Sequence, residues 1–286
     1  MHVAVGVIYG ADGKILIAKR PDNAHQGGLW EFPGGKVDAG ETVAQALVRE
    51  LREELNIEVL ASQPLIQIRH HYADKSVLLD VHAITDFAGE ACGNEGQPVR
   101  WVAGSQLHQY EFPAANRPII SAINLPTAYA ISGPWSGEQD FLAKVKGVLD
   151  AGAGIFQLRT PDYIPDKCLP LLQELLELSK TTSLQLQINT SPRLFAQTQE
   201  LLPQARLGLH LNRHQAASLN ERPVGANILF GISCHNAQEI HHAQTLGADY
   251  LLLSPVKQTS SHPDANPLGW AEFSRLVEYA NVPVYA

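Results

Sequence analysis

Short runs in which apolar and polar positions alternate open the chain: HVAVGVIY, KILIAKR, SVLLDVHAI and VRWV. A two-residue period of this kind predicts strands with one buried face. One segment differs. From Thr42 to Leu55 apolar residues return every three to four positions, which predicts an amphipathic helix. Residues 1–122 therefore read as an α+β domain with a mixed sheet. Ser121–Ala128 (SAINLPTA) places a proline between two patterned regions and shows no hydrophobic period, so a linker is expected at 123–128.

Beyond Tyr129 the grammar changes. The β-type runs YAIS, IFQLR, LQLQIN, LGLHL, LFGIS, YLLLSP and PVYA are separated by helix-like segments such as Cys168–Lys180 and Ala237–Leu246. This alternation predicts an α/β domain over 129–286, with parallel strands joined by crossover helices. Seven strand runs are visible. An eight-stranded barrel needs one more unit, so the expected barrel is open, completed by another chain, or cut short.

A chain of 286 residues exceeds what one hydrophobic core usually serves, which agrees with two domains. No run approaches the ~18 apolar residues that cross a bilayer, and the N-terminus reads as a strand without a basic leader. A soluble, cytoplasmic protein is expected. Cys92, Cys168 and Cys234 are odd in number and widely spaced, which fits free thiols better than disulfides or a zinc site. A formal charge of −8 repels a phosphate backbone, so stable nucleic-acid binding is not expected. A small phosphorylated ligand can still bind through a cation. Oligomeric state is not legible.

The segment GGKVDAGETVAQALVRELREELNI, Gly34 to Ile57, carries the chemistry. On the expected helix Glu50, Glu53 and Glu54 fall at i, i+3 and i+4, on one face. Taken alone, the three glutamates read equally as a solvated acidic face. Pro33-Gly34-Gly35 just upstream supplies a turn whose backbone can approach a ligand closely, and a loop with a carboxylate cluster suits a hard cation such as Mg²⁺.

The segment resembles the Nudix box, G-x5-E-x7-R-E-U-x-E-E-x-G-U with U aliphatic, through Gly35, Glu41, Arg49, Glu50, Leu51, Glu53, Glu54 and Ile57. Asn56 stands where the pattern has glycine, and asparagine tolerates the left-handed helix cap better than other side chains. The resemblance implies that Glu50, Glu53 and Glu54 carry Mg²⁺, with Mn²⁺ as an alternative, and that Gly34 contributes a carbonyl. It implies that Glu95 in GNEGQP adds a carboxylate and that Arg49 orients the glutamates. A metal-activated water would then attack an internal phosphorus, a glutamate serving as base.

Residues 1–122 are similar throughout to the MutT-type 8-oxo-dGTP diphosphatases, including ILIAKRPDNAH, LWEFPGGK, GNEGQP and EFPAANRPII. That similarity implies a nucleoside triphosphate substrate, contacted by Arg20, His25, Glu31, Phe32, Pro33 and Gly34. It makes Asn116 the reader of the purine edge, and Asp74 and Lys75 a loop pair closing over the nucleotide. Lysine at 75 replaces the usual arginine and cannot make its planar, bidentate contact. The expected activity is hydrolysis of 8-oxo-dGTP to 8-oxo-dGMP and pyrophosphate. Another nucleoside diphosphate derivative or a thiamine-related pyrophosphate is the alternative.

The second domain resembles the thiamine phosphate synthase/TenI family through YAISGP, AGAGIFQLRTP, LQLQINTS, GISCHNAQEI, GADYLLLSPV and NPLGWAEF. It keeps Gln157, Leu158 and Arg159 of the family's Q-L-R-x-K, but Pro161 stands at the lysine position. Asn189-Thr190-Ser191 replaces N-D-R, and LHLNRHQA lacks the second metal aspartate. Without those carboxylates no synthase activity is expected. A TenI-like isomerase acting through His235 is a further alternative, as is a regulatory module.

Overall fold

A computed structural model describes residues 1–72, 75–160, 162–258 and 266–286. The chain divides into two compact units, Met1–Asn124 with Asn281–Pro283, and Leu125–Ala280 with Val284–Ala286.

The first unit opens with strands β1 (His2–Ile8), β2 (Ile15–Lys19), β3 (Trp30–Glu31) and β4 (Gly34–Lys36), followed by helix α1 (Val43–Leu55). A long hairpin of β5 (Glu58–His71) and β6 (Ser76–Ala88), then β7 (Val99–Val102) and helix α2 (Arg117–Asn124), complete it. The larger sheet has the order β4-β1-β6-β5, the smaller β3-β2-β7. Strand β1 runs parallel to β6 and antiparallel to β4, so the larger sheet is mixed. Its alternation sorts the core: Val5 and Val7 pack with Phe32, Ile68 and Val81, while Ala4 and Ile8 meet Leu47, Leu51 and Leu55 of α1 on the other face. Those three leucines are fully buried, each worth roughly 1.5–3 kcal/mol. They seat the helix and leave its polar face outward.

Both ends of α1 are determined locally. Thr42 and Gln45 form a reciprocal capping box at the start, which satisfies two backbone donors. At the end Asn56 takes φ 57° and ψ 35°, and its N–H reaches the Leu51 and Arg52 carbonyls. Asn56→Ala is therefore expected to destabilise the first unit by about 1–2 kcal/mol, and Asn56→Gly to leave it unchanged or slightly steadier. Urea unfolding of the two variants checks this. Residues 123 and 124, within the expected linker, belong to the last turn of α2; Ile119 is buried, and Ile120 and Ile123 pack on the same core.

The second unit alternates strand and helix: β8 (Tyr129–Ile131), α3 (Glu138–Asp150), β9 (Ile155–Arg159), α4 (Pro165–Thr181), β10 (Gln185–Asn189), α5 (Pro192–Leu201) and β11 (Leu207–Leu211). It continues through α6 (Arg213–Ala217), β12 (Phe230–Cys234), α7 (Ala237–Thr245), β13 (Tyr250–Leu253), α8 (Gly269–Val277) and β14 (Val284–Tyr285). Neighbouring strands in the chain are neighbours in the sheet, and every pairing is parallel. The seven strands curl into a nearly closed barrel, since the rings of Tyr129 in the first strand and Tyr285 in the last have centroids 5.0 Å apart. Both also pack against Tyr250.

Cys92, Cys168 and Cys234 are free, the last two buried, and burial pushes the Cys234 thiol up to about 12. Among the described residues no helix is long and apolar enough to cross a membrane.

Candidate active site

Helix α1 carries Glu50 and Glu54 against the Gly34–Gly35 start of β4. Glu50 lies against Gly35 so closely that a Cβ there would sit 2.1 Å from its carboxyl carbon, so any larger residue would have to displace the Glu50 carboxylate. Glu54 accepts the Gly34 N–H at 3.1 Å and is largely enclosed. Burial pushes its carboxyl up to about 7, and the charges of Glu31, Glu50 and Glu95 add to the rise. Glu53 turns outward, its side chain 60% exposed.

Arg49 organises this acidic ground. It donates to both Glu41 oxygens, at 3.0 and 2.9 Å, to Glu50 at 2.8 Å and to the Lys36 carbonyl at 2.9 Å. These bonds raise the guanidinium's pKa and lower that of Glu41, so the pair stays ionised. Among the described residues, no three carboxylate, histidine or cysteine groups converge as they stand into a ready metal cage. Glu50 accepts from Arg49 and Glu54 from the Gly34 N–H. The donor set nonetheless fits a hard divalent cation by its chemistry, carboxylate oxygens of Glu50, Glu53 and Glu54 on one helix beside the Gly34 main chain.

The other expected contact residues spread around this cluster. Arg20 forms an ion pair with Glu31 and donates Nε–H to the His25 carbonyl at 2.9 Å. Burial raises the Glu31 carboxyl, and Arg20 opposes that rise. The imidazole of His25 meets the Tyr72 ring edge-on at 5.1 Å, and Lys75 lies 6.0 Å from the same ring. Asp74 lies outside the described residues. Phe32 is 3% exposed and its ring stacks on Phe112, so its side chain serves the core and leaves its main chain for a ligand. The Pro33 carbonyl is already taken by the Gly6 N–H at 2.8 Å. Asn116 ends a short 3-10 turn, Ala114–Asn116, and its side-chain Oδ1 is buried without a hydrogen-bond partner.

In the barrel, Asn189 and Arg159 are register partners at the C-terminal ends of β10 and β9, the end at which such barrels bind ligands. His235 directly follows the C-terminal end of β12, its Nδ1 on the Ser254 carbonyl and its N–H on Glu239 at 2.8 Å. Pro161 lies outside the described residues. A histidine the sequence reading passed over sits inside: His210 is fully buried, hydrogen-bonded to Tyr250 at 3.1 Å and to Ser233 at 2.8 Å. Burial, reinforced by the Arg159 charge, drives its pKa down to about 3, so it is neutral at physiological pH. The alternation in LGLHL, which turns His210 away from Leu209 and Leu211, was the available signal.

A family model described as NUDIX domain matches residues 4–122, and one described as Thiamine monophosphate synthase matches 128–286. The first domain is similar to the 8-oxo-dGTP diphosphatase of Escherichia coli, 36% identical over 123 residues that make up 43% of this chain and 95% of that protein. It is also similar to the CTP pyrophosphohydrolase of Escherichia coli, 39% identical over 43% of this chain and 90% of that protein. The barrel is similar to an Aquifex aeolicus protein provisionally named thiamine-phosphate synthase 2, 30% identical over 57% of this chain and 85% of that one.

Proposed function

We propose, for a chain that belongs to the Nudix family through its first domain and to the thiamine monophosphate synthase family through its second, that the first domain hydrolyses 8-oxo-dGTP to 8-oxo-dGMP and pyrophosphate. The observation that carries the base preference is the unpartnered Asn116 Oδ1. A buried acceptor without a donor costs about 1–3 kcal/mol, so the site favours a base presenting N–H there. Guanine offers a lone pair at N7, whereas oxidation at C8 places a proton on that nitrogen. On its N7 edge the oxidised base therefore offers Asn116 a donor where its parent offers only a lone pair.

Glu50, Glu53 and Glu54, with the Gly34 carbonyl and Glu95, would hold the divalent cation that Nudix hydrolases use, Mg²⁺ or Mn²⁺. When bound, it supplies charge against the phosphates and lowers the pKa of a coordinated water. The chain's own groups do the rest. A carboxylate of the cluster accepts the water proton as oxygen bonds to an internal phosphorus and the bond to the bridging oxygen breaks. Arg49, held by Glu41 and the Lys36 carbonyl, keeps Glu50 in place. Arg20, ordered by Glu31, and His25 flank the nucleotide. The activity removes a damaged triphosphate from the cytoplasmic nucleotide pool.

A second reading, CTP, draws support from the CTP pyrophosphohydrolase relative, since the cytosine amino group also presents a donor to Asn116. Turnover of 8-oxo-dGTP, dGTP and CTP with Mg²⁺, following monophosphate and pyrophosphate, separates the two. A kcat/KM for 8-oxo-dGTP at least ~10-fold above both others is expected, about 1.4 kcal/mol of discrimination. Preference for CTP would replace the oxidised nucleotide as substrate. For the barrel we propose no synthase activity, because Asn189, Thr190 and Ser191 at the end of β10 supply no carboxylate for a metal–diphosphate.

A further inference from the structure

The connection from β6 to β7 is fastened onto the C-terminal end of α1. Cys92 N–H donates to the Leu55 carbonyl at 3.1 Å and Asn94 N–H to the Glu54 carbonyl at 2.9 Å. Asn94 Nδ2 reaches the Glu53 carbonyl and Gln97 Nε2 the Glu54 carbonyl, both at 2.9 Å. With Asn56 N–H on Arg52, each of the last four carbonyls of the helix has a donor, three of them from this distant loop. Capping alone does not require this. A helix end at a protein surface satisfies its carbonyls with water or with the αL residue that Asn56 already provides.

Gln97 does more than cap. While its Nε2 donates to Glu54, its Oε1 accepts the Glu95 N–H at 2.9 Å. One planar amide thus ties the main chain of Glu54 to the main chain of Glu95. The turn between is tight: Gly96 N–H donates to the Gly93 carbonyl at 3.0 Å, and a Cβ on Gly93 would sit 1.8 Å from the Gln97 carbonyl oxygen. The loop therefore has little freedom to move Glu95 independently of the helix. A flexible loop would hold a carboxylate at that position only part of the time, and ordering it on cation binding would cost entropy.

We infer that Gln97, assisted by Asn94, is a positioning residue that holds Glu95 against the α1 glutamates, so that loop and helix act as one cation-binding unit. The inference rests on the Nudix reading above for the presence of a divalent cation. It goes beyond that reading in giving a metal role to two residues outside the Nudix box.

Binding of Mn²⁺ alone to the full chain, followed by the electron paramagnetic resonance of free Mn²⁺ without nucleotide, tests it. Gln97→Leu removes both bonds and is expected to weaken Mn²⁺ binding about 10-fold or more, the usual effect of losing a group that orients a metal ligand. Gln97→Glu keeps the length but loses the donor, and should behave alike. Glu95→Gln should also weaken binding. The double variant Gln97→Leu/Glu95→Gln should bind no more weakly than Glu95→Gln, because the amide acts through Glu95. Two outcomes overturn the inference: Mn²⁺ affinity unchanged in Gln97→Leu despite a lowered melting temperature, the pattern of a purely structural cap, or fully additive losses in the double variant. Either would leave the hydrolase reading standing. Conversely, a chain that binds Mn²⁺ with the expected pattern yet turns over no nucleoside triphosphate would sink the reading and keep the positioning role.

Discussion

Glu53→Gln is expected to lower kcat for 8-oxo-dGTP by about 10²- to 10⁴-fold, the range that a positioned acid–base group contributes. Stability should stay within about 0.5 kcal/mol of the parent, as for other surface substitutions. The separation follows from where the side chain sits. It is 60% exposed, and the guanidinium of Arg49 approaches it only to 3.7 Å, so the fold draws little from it. It also shares a helix face with Glu50 and Glu54, and removing one of three like charges relieves repulsion. Glu50 is the poorer choice for this test, because its contact with Arg49 at 2.8 Å and its place over Gly35 mix structure with chemistry. Single-turnover rates with saturating Mg²⁺, beside circular dichroism melting, make the comparison. Full activity in Glu53→Gln would remove it from the cation-binding and proton-transfer set.

The parts of this molecule written in local periodicity were legible in the chain. Helix α1 announces itself by its leucines, its Thr42–Gln45 cap and a residue suited to the left-handed exit at Asn56, all within one stretch. The seven barrel strands are equally plain, because each is a short apolar run between helices. Helix α2 was not, since it is eight residues long, has Pro118 near its start and buries only Ile119 completely. The arrangement of side chains across distant segments was also hidden. Nothing in the order of residues says that Gln97 bonds to Glu54, 43 positions away, or that His210 meets Tyr250, 40 positions away. Arg49 shows the same limit more gently: the motif makes it an orienting residue for glutamates, but only the fold reveals that Glu41 takes two of its bonds and Glu50 one. Phe32 likewise is implied as a nucleotide contact by the resemblance, and only the fold shows Phe112 stacked on its ring.

Asn116→Ala is expected to cut the preference for 8-oxo-dGTP over dGTP by about 5- to 150-fold, through loss of kcat/KM for the oxidised nucleotide alone. The range corresponds to about 1–3 kcal/mol, the cost of a buried polar group left without its partner. In the free protein that cost falls on Asn116 itself, whose Oδ1 is buried and unpaired at the end of a 3-10 turn. Alanine deletes the unpaired group, so the variant should be no less stable than the parent and even slightly more so. A loss of discrimination accompanied by unchanged or raised stability is hard to obtain from general damage to the site. The side chains proposed to bind the cation lie on α1 and in the Gly93–Gln97 turn, away from residue 116 in the chain, so turnover of dGTP should hold near its parent value. Asn116→Asp sharpens the test, since a carboxylate keeps the acceptor but loses the amide donor. It should still favour the base that offers N–H while binding both nucleotides less well, the added charge opposing a triphosphate. Equal discrimination in parent and Asn116→Ala would mean that the preference arises elsewhere in the pocket. The unpaired Oδ1 would then have to be satisfied by water and not by the base.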